Sequence, residues 1–229
     1  VEIIKVGKAY EKQGIKVILY GPAGSGKTYS ITTLPEPDRV LILSAEAGLM
    51  SIRKIGKDLD AIIISSNDEL KKCFDFLNSS GGDKYNTVVL DSLTEIAEQV
   101  LHDEKANAKD PRAAYGELQT TMIALIKAFR DLPGKNVLFL CKLERVKDDN
   151  GAILYGPAMP GNRLPQEIPY LTDLVFAARS RTEADSSTSR CFQTQPCPQY
   201  QAKDRSGAGL EQYEVPDWSV IFKKIDDTF

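Results

Sequence analysis

The chain has 229 residues, of which 42% are hydrophobic and 27% charged, an ordinary soluble composition with ample length for a core. A net charge of −3 gives no general attraction to polyanions, so any nucleic-acid contact must come from a local patch, and no apolar stretch approaches a membrane span. One histidine, His102, leaves little material for Ser/His/Asp or Cys/His catalysis. The four cysteines (Cys73, Cys141, Cys191 and Cys197) lack C-x-x-C spacing, which argues against zinc and for reduced thiols in a cytosolic compartment.

In chain order, Val17-Ile18-Leu19-Tyr20 is an apolar run that reads as a buried strand. Gly21-Pro22-Ala23-Gly24-Ser25-Gly26-Lys27-Thr28 follows, then a short helix over 29–34 ended by Pro35 and Pro37. Residues 40–43 and 61–64 predict a second and a third buried strand. Residues 68–78 predict a helix, with Asp68 joining its N-terminal cap and Leu70, Phe74 and Leu77 as its apolar stripe. A fourth strand over 87–90 ends at Asp91, and a helix over about 93–106 carries His102 on its surface. After a polar stretch, Leu118, Met122, Leu125, Phe129 and Leu132 predict a helix over 114–132, stopped by Pro133-Gly134 before a fifth buried strand over 136–141.

Apolar strands separated by helices imply an α/β fold, with a mostly parallel central sheet flanked by helices on both faces. From Leu174 onward the strand candidates shorten, at 174–178, 191–195 and 200–203, and predict antiparallel strands extending one edge. Residues 182–189 read as a hairpin tip. Cys191 and Cys197 could approach each other across a hairpin, but their spacing argues against a structural disulfide. No internal repeat or domain boundary is visible, so residues 1–229 read as a single domain.

Residues 21–28 match G-x-x-x-x-G-K-[ST] between a strand and a helix, the setting of a phosphate-binding loop. Its glycines let backbone N–H groups turn inward, and the helix N-terminus favours negative charge. Lys27 is expected to reach the β- and γ-phosphates of ATP and Thr28 to ligate Mg²⁺. Asp91, at the end of a buried strand, suits a carboxylate that reaches the same Mg²⁺, although a helix cap would place an Asp there too. Glu46 follows the second strand in Ser44-Ala45-Glu46-Ala47-Gly48. If that strand neighbours the phosphate-loop strand, Glu46 could activate the attacking water; a first-turn Glu favoured by the helix dipole is the bland alternative.

Together, Gly21-Pro22 through Thr28, Ala45-Glu46 and Asp91-Ser92 resemble the RecA/Rad51 core. The chain is most similar to phage-encoded, core-only RecA-like ATPases of the single-strand-annealing type, through Tyr115-Gly116-Glu117-Leu118, Phe129-Arg130-Asp131-Leu132-Pro133, Gly156-Pro157-Ala158-Met159-Pro160-Gly161 and Lys203-Asp204-Arg205-Ser206-Gly207. The resemblance implies a RecA-like P-loop NTPase that hydrolyses ATP to ADP and phosphate under DNA stimulation. It also implies a role in annealing or strand exchange during phage recombination, in the host cytoplasm and away from membranes. Implied partners are single-stranded DNA, further copies of the chain in a ring or filament, and a single-strand-binding protein.

Two DNA-facing loops are implied at about 102–113, carrying Lys105, Lys109 and Arg112, and at 144–165, carrying Arg145, Lys147 and Arg163; solvated loop charge is the plainer reading of these cations. Lys142 stands where the family usually has Gln, and a lysine there could contact the γ-phosphate. Lys203 and Arg205 match in spacing the paired lysines that reach a neighbour's ATP, and they also read simply as surface charges. Residues 1–14 are expected to serve oligomerisation or to pack on the chain's own core. The alternative function is a nucleotide-dependent switch or assembly ATPase without direct DNA action. A P-loop kinase would need an arginine-rich lid and an acceptor pocket, and no segment supplies either.

Overall fold

The computed structural model describes residues 13–107, 110–147 and 151–228. The proposed N-terminal segment falls almost wholly outside them, as does Lys109.

The strands are β1 (Lys16–Gly21), β2 (Val40–Ser44), β3 (Asp60–Ile63), β4 (Thr87–Asp91), β5 (Asn136–Lys147), β6 (Ile153–Pro157), β7 (Leu174–Thr182), β8 (Thr188–Gln193), β9 (Lys203–Asp204) and β10 (Tyr213–Glu214). The helices are α1 (Lys27–Ser30), α2 (Asn67–Leu77), α3 (Leu93–Asn107), α4 (Pro111–Arg130), α5 (Leu164–Glu167) and α6 (Trp218–Asp226). The sheet order is β10-β8-β7-β1-β5-β4-β2-β3, with β6 paired to β5 and β9 to β7. From β7 to β3 every neighbouring pair is parallel, and β8 and β10 extend the β7 edge antiparallel. The fold is therefore the α/β arrangement expected, with a mostly parallel sheet and antiparallel edge strands.

Strands β1, β2 and β4 are buried along their whole length because helices cover both faces. Alternation divides their side chains. Ile18 and Tyr20 face a cluster with Leu70 and Leu77 of α2, Ile96 and Val100 of α3, and Met122 and Phe129 of α4. Val17 and Leu19 face a second cluster with Ile31, Leu34 and the α6 residues Trp218, Ile221, Phe222 and Ile225.

Several expectations are corrected. β2 does not neighbour β1; β5 and β4 lie between them. β3 is an edge strand with Ile63 66% exposed, not a fully buried one. β7 is parallel to β1, because the chain recrosses the sheet before it, and only then does the antiparallel edge begin. The α2 cap is Ser66, whose side chain accepts from the Glu69 amide, rather than Asp68.

α4 begins at Pro111, capped by Asp110, so the first implied DNA loop is largely helix. The second is largely a β5–β6 hairpin, since β5 runs past Lys142 to Lys147. Cys191 and Cys197 are free thiols. Helix α6, absent from the sequence-based expectations, completes the second cluster.

Candidate nucleotide site

The strand register gathers the site at one edge of the sheet. Gly21 is level with Lys142, Leu140 with Asp91, and Asp91 with Ser44. These are the carboxyl ends of parallel strands, where open α/β sheets bind ligands.

At Gly21 the backbone of β7 comes so close that a Cβ would run into Ala178 O and stand 2.8 Å from Ser25 Oγ, so a side chain is excluded. Gly26 opens α1 at φ 94°, a left-handed conformation that glycine adopts without strain. Lys27 Nζ folds back over the loop, donating to Gly21 O at 2.8 Å and Pro22 O at 3.1 Å. Ser25 Oγ is buried with no hydrogen-bond partner among the described residues.

Thr28 Oγ1 donates to Asp91 Oδ2 at 2.9 Å, which joins the phosphate loop to β4. The chain after β2 then folds over β4: the Ala45 and Glu46 amides both donate to Asp91 O, at 2.8 and 3.3 Å. Ser44 Oγ holds the turn by donating to Glu46 O at 2.8 Å. This turn, rather than strand adjacency, brings Glu46 to the site. A Cβ on Gly48 would stand 3.4 Å from Thr28 Oγ1 and 3.6 Å from Asp91 Oδ2, so the missing side chain keeps open the space beside that pair.

Burial pulls the Lys27 ammonium below the usual lysine range, while Asp91 and Glu46 act against it. Burial pushes Asp91 above the ordinary carboxylate range; the Thr28 hydrogen bond opposes this and the Glu46 charge adds to it. A carboxylate and a hydroxyl beside an open space, with the Glu46 charge acting on that carboxylate, suit a hard divalent cation. A buried unpaired hydroxyl and a lysine resting on loop carbonyls suit a phosphate. The residues present therefore fit Mg²⁺ at Thr28 and Asp91 and a nucleotide phosphate chain along residues 21–28.

The other expected residues lie farther out. Lys142 Nζ is 2.7 Å from Glu95 Oε2 and 3.6 Å from Glu98 Oε2 on α3; the hydrogen bond to Glu95 raises its pKa. Lys203 pairs with Val175 near the start of β7, at the opposite end of the sheet from Gly21, and donates to Pro169 O at 2.5 Å and to Thr172 O. Arg205 borders a cavity of about 390 Å³ with Gln13, Lys16 and Tyr170. Within one chain, neither is near the phosphate loop.

Arg145 and Lys147 are exposed and, two residues apart on β5, share a face. Lys105 joins Lys142 along a cleft of about 580 Å³ between α3 and β5. Arg112 lies in the first turn of α4, and Arg163 pairs with Glu167 at 3.2 Å. Sequence reasoning missed the spacing role of Gly48, and it missed Thr94, whose hydroxyl accepts from the Lys142 amide and donates to Ala158 O. Neither carries a local signal, because both roles depend on elements that meet only in the fold.

Residues 13–206 match the family model described as an AAA domain. The chain belongs to the AAA-domain family. The match runs from just before β1 through β9 and covers every residue of the phosphate loop, Glu46 and Asp91. AAA domains are P-loop ATPases and in general bind ATP with Mg²⁺, so the family and the fitted site agree on the class of chemistry. No curated protein matches the chain. Among the described residues, no helix is long and apolar enough to cross a membrane.

Proposed function

We propose that this AAA domain hydrolyses ATP with Glu46 as general base, and that turnover serves the binding of single-stranded DNA in annealing or strand exchange during phage homologous recombination. The observation that carries the hydrolytic half is the 2.9 Å contact between Thr28 and Asp91, with the Glu46 backbone held against Asp91 by the turn after β2. Lys27 orients the β- and γ-phosphates, and the loop amides hold the remaining oxygens. Thr28 and Asp91 would hold Mg²⁺, which would neutralise part of the phosphate charge. Glu46 accepts the proton of the attacking water.

The DNA half rests on the RecA/Rad51 resemblance. It is supported by the exposed cations Arg145 and Lys147 on an arm continuous with β5. Lys105, Lys109, Arg112 and Arg163 complete the proposed backbone contacts, which would be sequence-independent and salt-sensitive. Lys203 and Arg205 are proposed to act on the ATP of a neighbouring copy in a ring or filament, where two cations would stabilise transition-state charge. A single-strand-binding protein is the proposed partner on DNA. One observation favours the second reading, a nucleotide-dependent switch without direct DNA action: Arg163, one of the proposed DNA contacts, is already ion-paired with Glu167 within the chain.

The test is ATP turnover and oligomeric state with and without single-stranded DNA. DNA is expected to raise both in the wild type. Lys27→Ala should lose ATP binding and turnover; Glu46→Gln should keep binding and lose turnover about 100-fold or more. Lys147→Glu and Arg163→Glu should lose DNA binding with ATP binding intact. A rate and size indifferent to DNA favour the switch, and normal turnover in Glu46→Gln removes the general base.

A further inference from the structure

β7 and β8 continue as a hairpin past the level at which β1 ends. Tyr20 is aligned with Ala177, so Gly21 is level with Ala178 and the segment from Arg179 to Thr182 rises beyond it, on the order of 13 Å of strand. On the returning strand, Arg190 is paired with Ser180. Arg190 shares a face of β8 with Phe192, and Phe192 packs in the cluster that contains Ala178, Ile31 and Trp218. That is the face on which the phosphate loop and α1 lie.

The guanidinium consequently hangs beside the loop. A Cβ built on Gly26 would stand 3.6 Å from Arg190 Cδ, 3.7 Å from Nη1 and 4.0 Å from Nε. Arg190 is exposed, and its side chain has no hydrogen bond or ion pair among the described residues. The other two arginines of the hairpin are occupied. Arg179 donates to Gln193 Oε1 at 2.8 Å and lies over the Tyr200 ring, while Arg181 pairs with Glu183 at 2.8 Å and lies over the Tyr213 ring. One cation of three is thus left free, and it is the one beside the phosphate loop.

We propose that Arg190 is a nucleotide-contacting residue that closes the phosphate loop from the β7–β8 hairpin of the same chain. The proposal rests on the nucleotide-site reading above and deepens it. Strand order decides which part of the ligand Arg190 meets. Asp91 on β4 and Glu46 after β2 lie to one side of β1, and β7 and β8 lie to the other. The metal and the attacking water belong to the first side, so Arg190 faces the phosphates nearer the nucleoside, which ATP and ADP share. A guanidinium suits that task because its planar fork can donate two parallel N–H bonds to phosphate oxygens.

The test measures dissociation constants for methylanthraniloyl-labelled ATP and ADP with Mg²⁺, in wild type, Arg190→Ala, Arg190→Lys and Lys27→Ala, together with thermal melting of the free proteins. Arg190→Ala is expected to weaken ATP and ADP alike by tenfold or more, with a smaller change in turnover at saturating ATP. Arg190→Lys should recover part of the loss. Melting of the free Arg190 variants should stay at the wild-type value, because no intramolecular partner is lost. Arg190→Ala binding both nucleotides within twofold of wild type overturns the proposal, as does a loss confined to ATP, which would make Arg190 a γ-phosphate residue. Wild type that binds neither nucleotide fails the nucleotide-site reading itself. Wild type and Arg190→Ala that bind alike, with Lys27→Ala inactive, remove only the assignment of Arg190.

Discussion

At the scale of single residues, the molecule keeps cations in places that cost it stability. Lys16 opens β1 and is buried, with its ammonium donating to Leu132 O and Lys135 O. Burial lowers its pKa from 10.5 to about 8, opposed mainly by the Asp131 charge. Between those two values the unfolded chain binds the proton more tightly than the folded one, so stability rises with pH across that window. Below pH 8 the burial penalty is present in full, and it is relieved as pH approaches 10.5, by about 3 kcal/mol at 1.36 kcal/mol per pH unit. Urea midpoints at pH 7, 8, 9 and 10 should therefore converge less between wild type and a Lys16→Met variant at neutral pH than at alkaline pH, the rise belonging to the wild type alone. A stability difference between the two that does not change with pH would contradict this account of Lys16. Lys27 shows the same lowering by burial, but its position in the phosphate loop gives that cation a ligand to meet.

At the scale of elements, α6 braces the helix that carries Lys27. Its apolar residues Trp218, Ile221, Phe222 and Ile225 follow i, i+3, i+4, i+7 spacing and lie on the sheet face that also carries α1. The Trp218 ring lies 4.9 Å from Phe192, 5.8 Å from Phe222 and 6.2 Å from Phe176, between ring centroids. Its Nε1 donates to Ser30 Oγ at 3.0 Å and its amide to Thr33 Oγ1 at 2.8 Å, while Ser30 Oγ donates on to Lys27 O at 2.7 Å. Trp218→Ala should cost about 3–5 kcal/mol of unfolding free energy and also weaken nucleotide binding. Trp218→Phe, which keeps most of the volume, should cost less. Denaturant melts with parallel nucleotide titrations check this; an alanine variant within 1 kcal/mol of wild type would show that α6 does not brace α1.

At the scale of the whole molecule, a ligand that binds only the folded state stabilises it by mass action. At a nucleotide concentration about 100 times Kd the gain is roughly 2.7 kcal/mol. For a chain of this size that corresponds to a rise in melting temperature of about 5–10 °C, at about 2–4 °C per kcal/mol. Thermal scans with Mg²⁺ and ATP should show this rise in the wild type and none in Lys27→Ala, whose own melting temperature should stay within a few degrees of wild type. An equal shift in both proteins would mean that ATP binds elsewhere. The same global view explains why Lys203 and Arg205 cannot serve their own chain's loop, since β9 pairs with the start of β7 and Gly21 ends β1 at the other edge.

The local sequence determined the phosphate loop, the buried strands and most helices, because Gly-rich turns, apolar runs and helical spacing are short-range signals. It also supplied the candidate chemistry-bearing residues Lys27, Thr28, Glu46 and Asp91. Helix α6 has the right spacing in the sequence, but at nine residues it is short enough to escape notice after a turn-rich stretch. Tertiary structure alone decided the order of the strands. Only that order separates β2 from β1, folds the turn after β2 over Asp91, makes β7 parallel, and carries Arg190 back to Gly26. The physical reason is that strand pairing is a contact between distant segments, chosen by which faces can be buried together, and neither partner records the other in its own local pattern.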